Sequence, residues 1–297
     1  MELAQTLNDS RASEPWTQTA TSLKTAANQR LWDAPAGLYR DNETTTSLHP
    51  QDGNVWAVKA NLTDSATQAG QISHSLRSRW GRYGAPAPEA PAPAAGPQTA
   101  PATISPFIGG FELQAHYVSG NAQRALDLMR RQWGVMLDDP RMTNSTFIEG
   151  FAMDGSLRYA PYANTPRVSL AHGWSTGPTA ALSFYTGGLR LAGAGAGAGA
   201  GFGAGSAAAG ERWLFEPLVG DLTEVRVGFE TPRGGFSAWY TRGERGFTGL
   251  GVHTPVGTVG DVVLSGVQGV LVSGEDGERV EFVDSIRGLR GGSWMLE

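Results

Sequence analysis

The chain is 297 residues long, carries a formal net charge of −5 and contains no cysteine. With only 17% charged residues and an acidic balance, it lacks the basic stripe that nucleic acid demands. The missing cysteine excludes disulfides, thiolate zinc sites, iron–sulfur clusters and thiol nucleophiles. The length predicts about two domains. No run of about 20 apolar residues occurs, so no membrane span is predicted, and the opening MELAQ has neither the basic nor the apolar region of a signal peptide. Four N-x-S/T acceptor sequons begin at Asn8, Asn42, Asn61 and Asn144 and lean toward a secretory history.

Residues 15–32 are predicted helical, with Leu23, Ala27 and Leu31 at i, i+4 and i+8 on one face. A second helix is expected over 50–62, opening on Pro50 with Asp52 in its first turn. A third, over 63–80, has Thr63 or Asp64 as its expected N-cap. Residues 84–101, GAPAPEAPAPAAGPQTAP, read as a disordered insertion of polyproline character. Residues 107–118 and 122–137 form an expected antiparallel helical hairpin around Ser119-Gly120-Asn121. A sixth helix over 169–185 is expected to be kinked or to start late at Gly177-Pro178. Helices in hairpins suggest a helical barrel or toroid. Residues 192–210, rich in Gly and Ala, hold too few large apolar groups to order themselves and read as a linker.

Beyond the linker the period changes to two. In 224–231, Val225, Val227 and Phe229 share one face, and the turn Pro232-Arg233-Gly234-Gly235 leads into 236–240. Further strands are expected over 247–253, 258–265, 267–273 and 279–284. Strands spaced every 8 to 12 residues indicate a small antiparallel β-sandwich.

One segment concentrates chemistry: STFIEGF at 145–151, then SLAHGWSTGPT at 169–179. Glu149 sits in a loop between Phe147 and Phe151, apolar flanks that would disfavour its charged form. His172 adds a polar contact, and Trp174 a flat face for a sugar ring. Spacing alone leaves open a structural loop Glu with a packing His and Trp.

These strings, with SPFIGGFELQ at 105–114, QWGVML at 132–137, LHPQDGN at 48–54 and the run from Phe215-Glu216-Pro217 to Phe236, resemble the α-L-rhamnosidases of glycoside hydrolase family 78, nearest to the fungal branch. The resemblance implies an (α/α)6 barrel flanked by β domains and inverting removal of terminal α-L-rhamnose. It places the general base at Glu149 and a sugar-contacting histidine at His172, with Trp174 as a ring-stacking neighbour. The substrate implied is a rhamnose-containing glycoside or polysaccharide, without metal, cofactor, nucleic acid or membrane as partner.

The domain organisation then reads as a partial six-hairpin barrel over 1–191, a linker over 192–210 and a β-sandwich over 211–297. A full barrel needs twelve helices, and the family's general-acid segment has no counterpart before Glu149. Asp52 and Glu112 lie on segments that begin helices in the family barrel and could approach the site, but read first as helix-start or structural residues. The expectation is the C-terminal portion of a secreted enzyme, inactive alone without an N-terminal barrel half. The competing readings are a carbohydrate-binding remnant that does not cleave, or another helical-barrel glycosidase or polysaccharide lyase, for which Tyr159, Tyr162 or His172 could serve as base.

Overall fold

The computed structural model describes residues 9–44, 47–87, 102–162, 165–191, 212–244 and 246–297. They fall into two compact units, a helical one over Glu14–Thr179 and a β unit holding 180–191 and 212–297. The expected linker over 192–210 and most of the expected insertion, 88–101, lie outside the described residues.

Helix α1 covers Ser10–Arg30, starting earlier than expected and carrying Pro15 inside it. It stops short of 32 because Trp32–Asp33 (β1) pairs antiparallel with Leu38–Tyr39 (β2), Trp32 opposite Tyr39. Gly37, at φ +64°, makes that turn. Helix α2, Gln51–Lys59, opens on Pro50 with Asp52 in its first turn, as the sequence indicates. Its buried Asn54 acts like a strand neighbour. The side chain accepts from Tyr39 N at 2.7 Å and donates to Tyr39 O at 3.0 Å, which satisfies backbone groups that would otherwise be buried unpaired. Helix α3, Ala66–Arg77, is capped by Ser65, whose hydroxyl accepts from Gln68 N, not by Thr63 or Asp64. Val55, Val58, Ile72, Leu76, Leu38 and Tyr39 form the core between these elements.

Residues 84–87 are ordered, against expectation: Gly81 bridges Gly84, and Pro86–Ala87 (β3) pairs with Thr103–Ile104 (β4), which pairs in turn with Phe151–Ala152 (β5). Helix α4, Pro106–Val118, and helix α5, Ala122–Asp138, make the expected hairpin, with Gly120 at φ +75° in its turn. The sixth expected helix is broken. A 3-10 turn over Gly173–Ser175 precedes α6, Gly177–Ala181, which loosens into a π-helical turn over Leu182–Thr186. Gly177 explains the early break, since its Cα lies so close to Gly110 of α4 that a Cβ on Gly110 would come within 2.9 Å of it. That approach draws the 169–176 segment onto α4 in a non-helical course.

The β unit is one mixed sheet. Leu189–Leu191 (β6), Arg212–Phe215 (β7), Glu224–Thr231 (β8), Gly234–Gly243 (β9), Gly246–Ser273 (β10) and Arg279–Leu296 (β11) run in the order β6-β7-β10-β9-β8, with β11 also on β10. Three expected strands are thus one long β10, shifted in register around Thr254/Val259 and Val263/Gln268. The pairing is not wholly antiparallel, because β7 runs parallel to β10 from Arg212 opposite Val259 to Phe215 opposite Val262. β8 keeps the expected alternation, Val225, Val227 and Phe229 packing onto the core. That core holds Trp213, Phe215, Phe236, Tyr240, Val262, Leu271 and Trp294.

Candidate functional site

Two loop segments of the helical unit, 146–149 and 169–172, are laced together by hydrogen bonds. Thr146 Oγ1 donates to Leu170 O at 2.6 Å, His172 N to Phe147 O at 2.8 Å, and Glu149 N to Ser169 O at 2.8 Å. The lacing is anchored in the core by Ser175, whose hydroxyl donates to Ile148 O while its carbonyl accepts from Trp133 Nε1 of α5 at 2.7 Å. The QWG and GWS motifs are therefore one structural device. Trp133 and Ser175 are both buried, so the polar bond between them is needed to avoid orphaned groups.

Glu149 projects from this pair, half-buried. Its carboxylate accepts from the Tyr162 phenol at 2.6 Å and from Ser169 N at 3.2 Å. Of the two apolar flanks expected beside it, Phe151 is withdrawn into β5 and the core. Tyr162 is the contact that spacing did not reveal as Glu149's partner. The hydrogen bond to Glu149 pushes its phenol above the usual tyrosine value, so it remains a donor. Tyr162 packs edge-on to Tyr159 with centroids 5.8 Å apart. Tyr159 in turn covers Gly150, where a Cβ would come within 2.2 Å of its ring. Gly150 thus admits the pair of tyrosines that holds Glu149.

His172 and Trp174 follow on the same segment, their rings 6.2 Å apart. Trp174 is 70% exposed, yet it leans on Phe107 of α4 at 4.9 Å. Phe107 meets Phe111 edge-on at 5.1 Å, and Phe111 meets Trp56 of α2 in a tilted contact at 4.6 Å. A band of aromatic faces therefore runs from Trp174 to Trp56. Lys59 closes it, its ammonium 5.3 Å from the Phe111 ring and 5.5 Å from the Trp56 ring, where burial pulls its pKa down to about 8.

Asp52, in the first turn of α2, and Glu112, midway along α4, separate clearly. Asp52 is exposed and accepts from Gly53 N. Glu112 is 1% exposed and is enclosed by donors: Gln51 Nε2 at 2.5 Å and Trp80 Nε1 at 2.6 Å, with His116 Nε2 at 3.2 Å. His116 reaches on to Ser73 Oγ at 2.7 Å. Among the described residues no group of three or more His, Asp or Glu side chains is placed to hold a metal ion, and no helix is long and apolar enough to cross a membrane.

Among the solved structures that share this fold are two α-L-rhamnosidases. One is an α-L-rhamnosidase from Dictyoglumus thermophilum, with a TM-score of 0.67 and 15% identity over 99% of this chain and 30% of that chain. The other is a native α-L-rhamnosidase from Aspergillus terreus, with a TM-score of 0.60 and 17% identity over 100% of this chain and 28% of that chain. The fold is rhamnosidase-like. The likeness reaches both proteins, so it does not single out a fungal branch, and the chain spans under a third of either one's length. No family model and no curated protein matches the sequence.

Proposed function

We propose that the chain contributes the general-base half of an inverting α-L-rhamnosidase site, its helices forming part of an (α/α)6 barrel and its strands a trailing β-sandwich. The observation that carries the reading is Glu149. It is a half-buried carboxylate fixed by Tyr162 and Ser169 N on a laced loop, with His172 and the exposed Trp174 on the adjoining segment.

In this mechanism Glu149 takes a proton from a water that attacks the anomeric carbon. A second carboxyl group, about 6.5–9.5 Å from the base, protonates the leaving oxygen. Tyr162 and Ser169 N each use one carboxylate oxygen, and a carboxylate retains further lone pairs for the water. Trp174 presents a flat face to the sugar's C–H surface, while His172 supplies a directional hydrogen bond to a hydroxyl. The acid is assigned to barrel sequence outside this chain, since Glu112 is enclosed and Asp52 belongs to a helix start.

A polysaccharide lyase fits less well. Its tyrosine base must ionise readily, whereas Tyr162 is pushed the other way by Glu149. A sugar-binding remnant without turnover draws support from the exposure of Trp174.

Titrating the chain with L-rhamnose under tryptophan fluorescence tests the reading. Binding is expected in the wild type and in Glu149→Gln, and lost in Trp174→Ala. Hydrolysis of p-nitrophenyl α-L-rhamnopyranoside by the chain alone is expected at background. No rhamnose binding would overturn the site, and strong turnover abolished by Glu149→Ala would overturn the placement of the acid elsewhere.

A further inference from the structure

A depression of about 510 Å³ opens on the helical unit, lined by Arg77, Trp80, Arg82, Asp127, Arg130 and Arg131. Arg77 ends α3, Trp80 and Arg82 follow it, and the other three lie on α5. Four arginines against one aspartate leave this lining strongly positive in a chain of net charge −5. Arg130 faces Asp127 at 3.9 Å, while Arg77, Arg82 and Arg131 make no ion pair among the described residues.

Beside Arg77 lies a further cation, Arg124, which donates to Ser73 Oγ at 2.9 Å. Burial first, and then the like charge of Arg77, lowers its pKa. Cations crowded around a single carboxylate destabilise the fold locally, an arrangement that marks a ligand site more than a packing device.

The floor is rigid. Trp80 is pinned by the bond from its Nε1 to the buried Glu112. Arg131 lies over the Trp80 ring at 5.8 Å and donates to Gly81 O at 2.7 Å. Arg82 is held over Tyr83 at 5.2 Å. Guanidinium groups fixed in this way lose little freedom when an anion arrives.

We propose that this depression binds the carboxylates of a uronate-bearing glycan chain. The choice of a saccharide rests on the glycosidase reading, whereas the requirement for an anion comes from the arginines alone. Planar guanidinium forks match planar carboxylates two bonds at a time. The depression is open and lacks the enclosing apolar walls that hold a small free ligand, so it suits a polymer passing across it. Nucleic acid is disfavoured, because it is gripped through many phosphates over a long basic footprint, and the chain's net negative charge repels it.

The test is calorimetric titration of the chain with tetragalacturonate, with its fully methyl-esterified form, with dextran sulfate and with single-stranded DNA. Tetragalacturonate is expected to bind, to weaken as salt rises, and to bind at least about tenfold more tightly than the ester, a loss of about 1.4 kcal/mol. Arg77→Gln and Arg82→Gln, which leave the Trp80–Glu112 anchor in place, are each expected to weaken it several-fold. Glu149→Gln and Trp174→Ala are expected to leave it unchanged. Equal affinity for the ester, or no loss in either arginine variant, would overturn the proposal. So would tighter binding of dextran sulfate or DNA. Loss of rhamnose binding with uronate binding intact would refute the rhamnoside site alone, and the reverse would refute this one alone.

Discussion

The two units hold themselves together by different means. In the β unit the interior is a block of large apolar side chains, Trp213, Phe215, Phe236, Tyr240 and Trp294 among them. Trp213 lies flat on Gly260, where a Cβ would come within 2.0 Å of its ring. Both units bury polar groups, Arg190, Thr254 and Asp261 in the β unit among them, but in the helical unit Gln51, Glu112, His116 and Ser73 are joined in one hydrogen-bonded chain. Much of that unit's order comes from side chains that satisfy one another or the backbone. Apolar packing is tolerant of rearrangement, whereas a polar interior must be completed partner by partner. The unit with the chained polar interior is also the one that carries the laced loop of Glu149, which needs fixed direction more than bulk.

The sharpest way to break that contrast is a pair of truncations measured by urea unfolding. Trp213→Ala removes one of the largest buried rings and is expected to cost about 3–5 kcal/mol. Glu112→Ala removes few atoms, yet it strips the acceptor from Trp80, Gln51 and His116. Its expected cost is as large, about 3–5 kcal/mol. If Glu112→Ala costs less than about 1 kcal/mol, the claim that polar bonds organise the helical unit fails.

A smaller effect is expected at the contact between α4 and α6. Gly177→Ala would push its new Cβ to 2.4 Å from Gly110 Cα. Overpacking of this kind typically costs about 1–3 kcal/mol. Because Gly177 follows the Trp174 segment directly, the same variant should weaken rhamnose binding, readable in the fluorescence titration. Lost stability with unchanged binding would separate the glycine contact from the site.

The smallest expected effect is a pH dependence from Lys59, whose pKa falls from 10.5 to about 8 on folding because its ammonium is buried. Between those values the unfolded chain binds more protons than the folded one, so stability should rise with pH across that window. Below it the full cost of burying the charge is present. Unfolding midpoints at about pH 7.5 and about pH 9.5 should converge in Lys59→Met, which has no proton to lose. Above pH 10 the buried Tyr39, whose pKa is raised to about 12, opposes the trend.

Much of the local structure was legible in the sequence. The α4–α5 hairpin follows from apolar spacing and a Gly-containing turn, and β8 from its alternation. The start of α2 follows from Pro50 and Asp52. The late start at Gly177 in the segment 169–185 was legible from Gly177-Pro178, while the close approach of Gly177 to Gly110 that accompanies it involves residues 67 positions apart. The cap at Ser65 displaced Thr63 and Asp64, because a side chain caps only from the position whose oxygen reaches the free N–H two or three residues on. At the site, Glu149, His172 and Trp174 were legible as residue types in order. Tyr162's bond to Glu149 was not, since it joins two loop residues 13 positions apart that no periodicity brings together.

The sequence by itself determined which residues could carry chemistry, because side-chain type is a local property, but not where helix gives way to strand, since Leu189–Leu191, expected in the helical domain, pairs into the β sheet. Only the tertiary structure decided that β7 runs parallel to β10, that Ser175 ties Trp133 to the Glu149 loop, and that Glu112 is enclosed while Trp174 stands exposed. Those outcomes depend on contacts between residues distant in the chain, and burial or partnership is a property of the folded neighbourhood, which no single stretch of sequence contains.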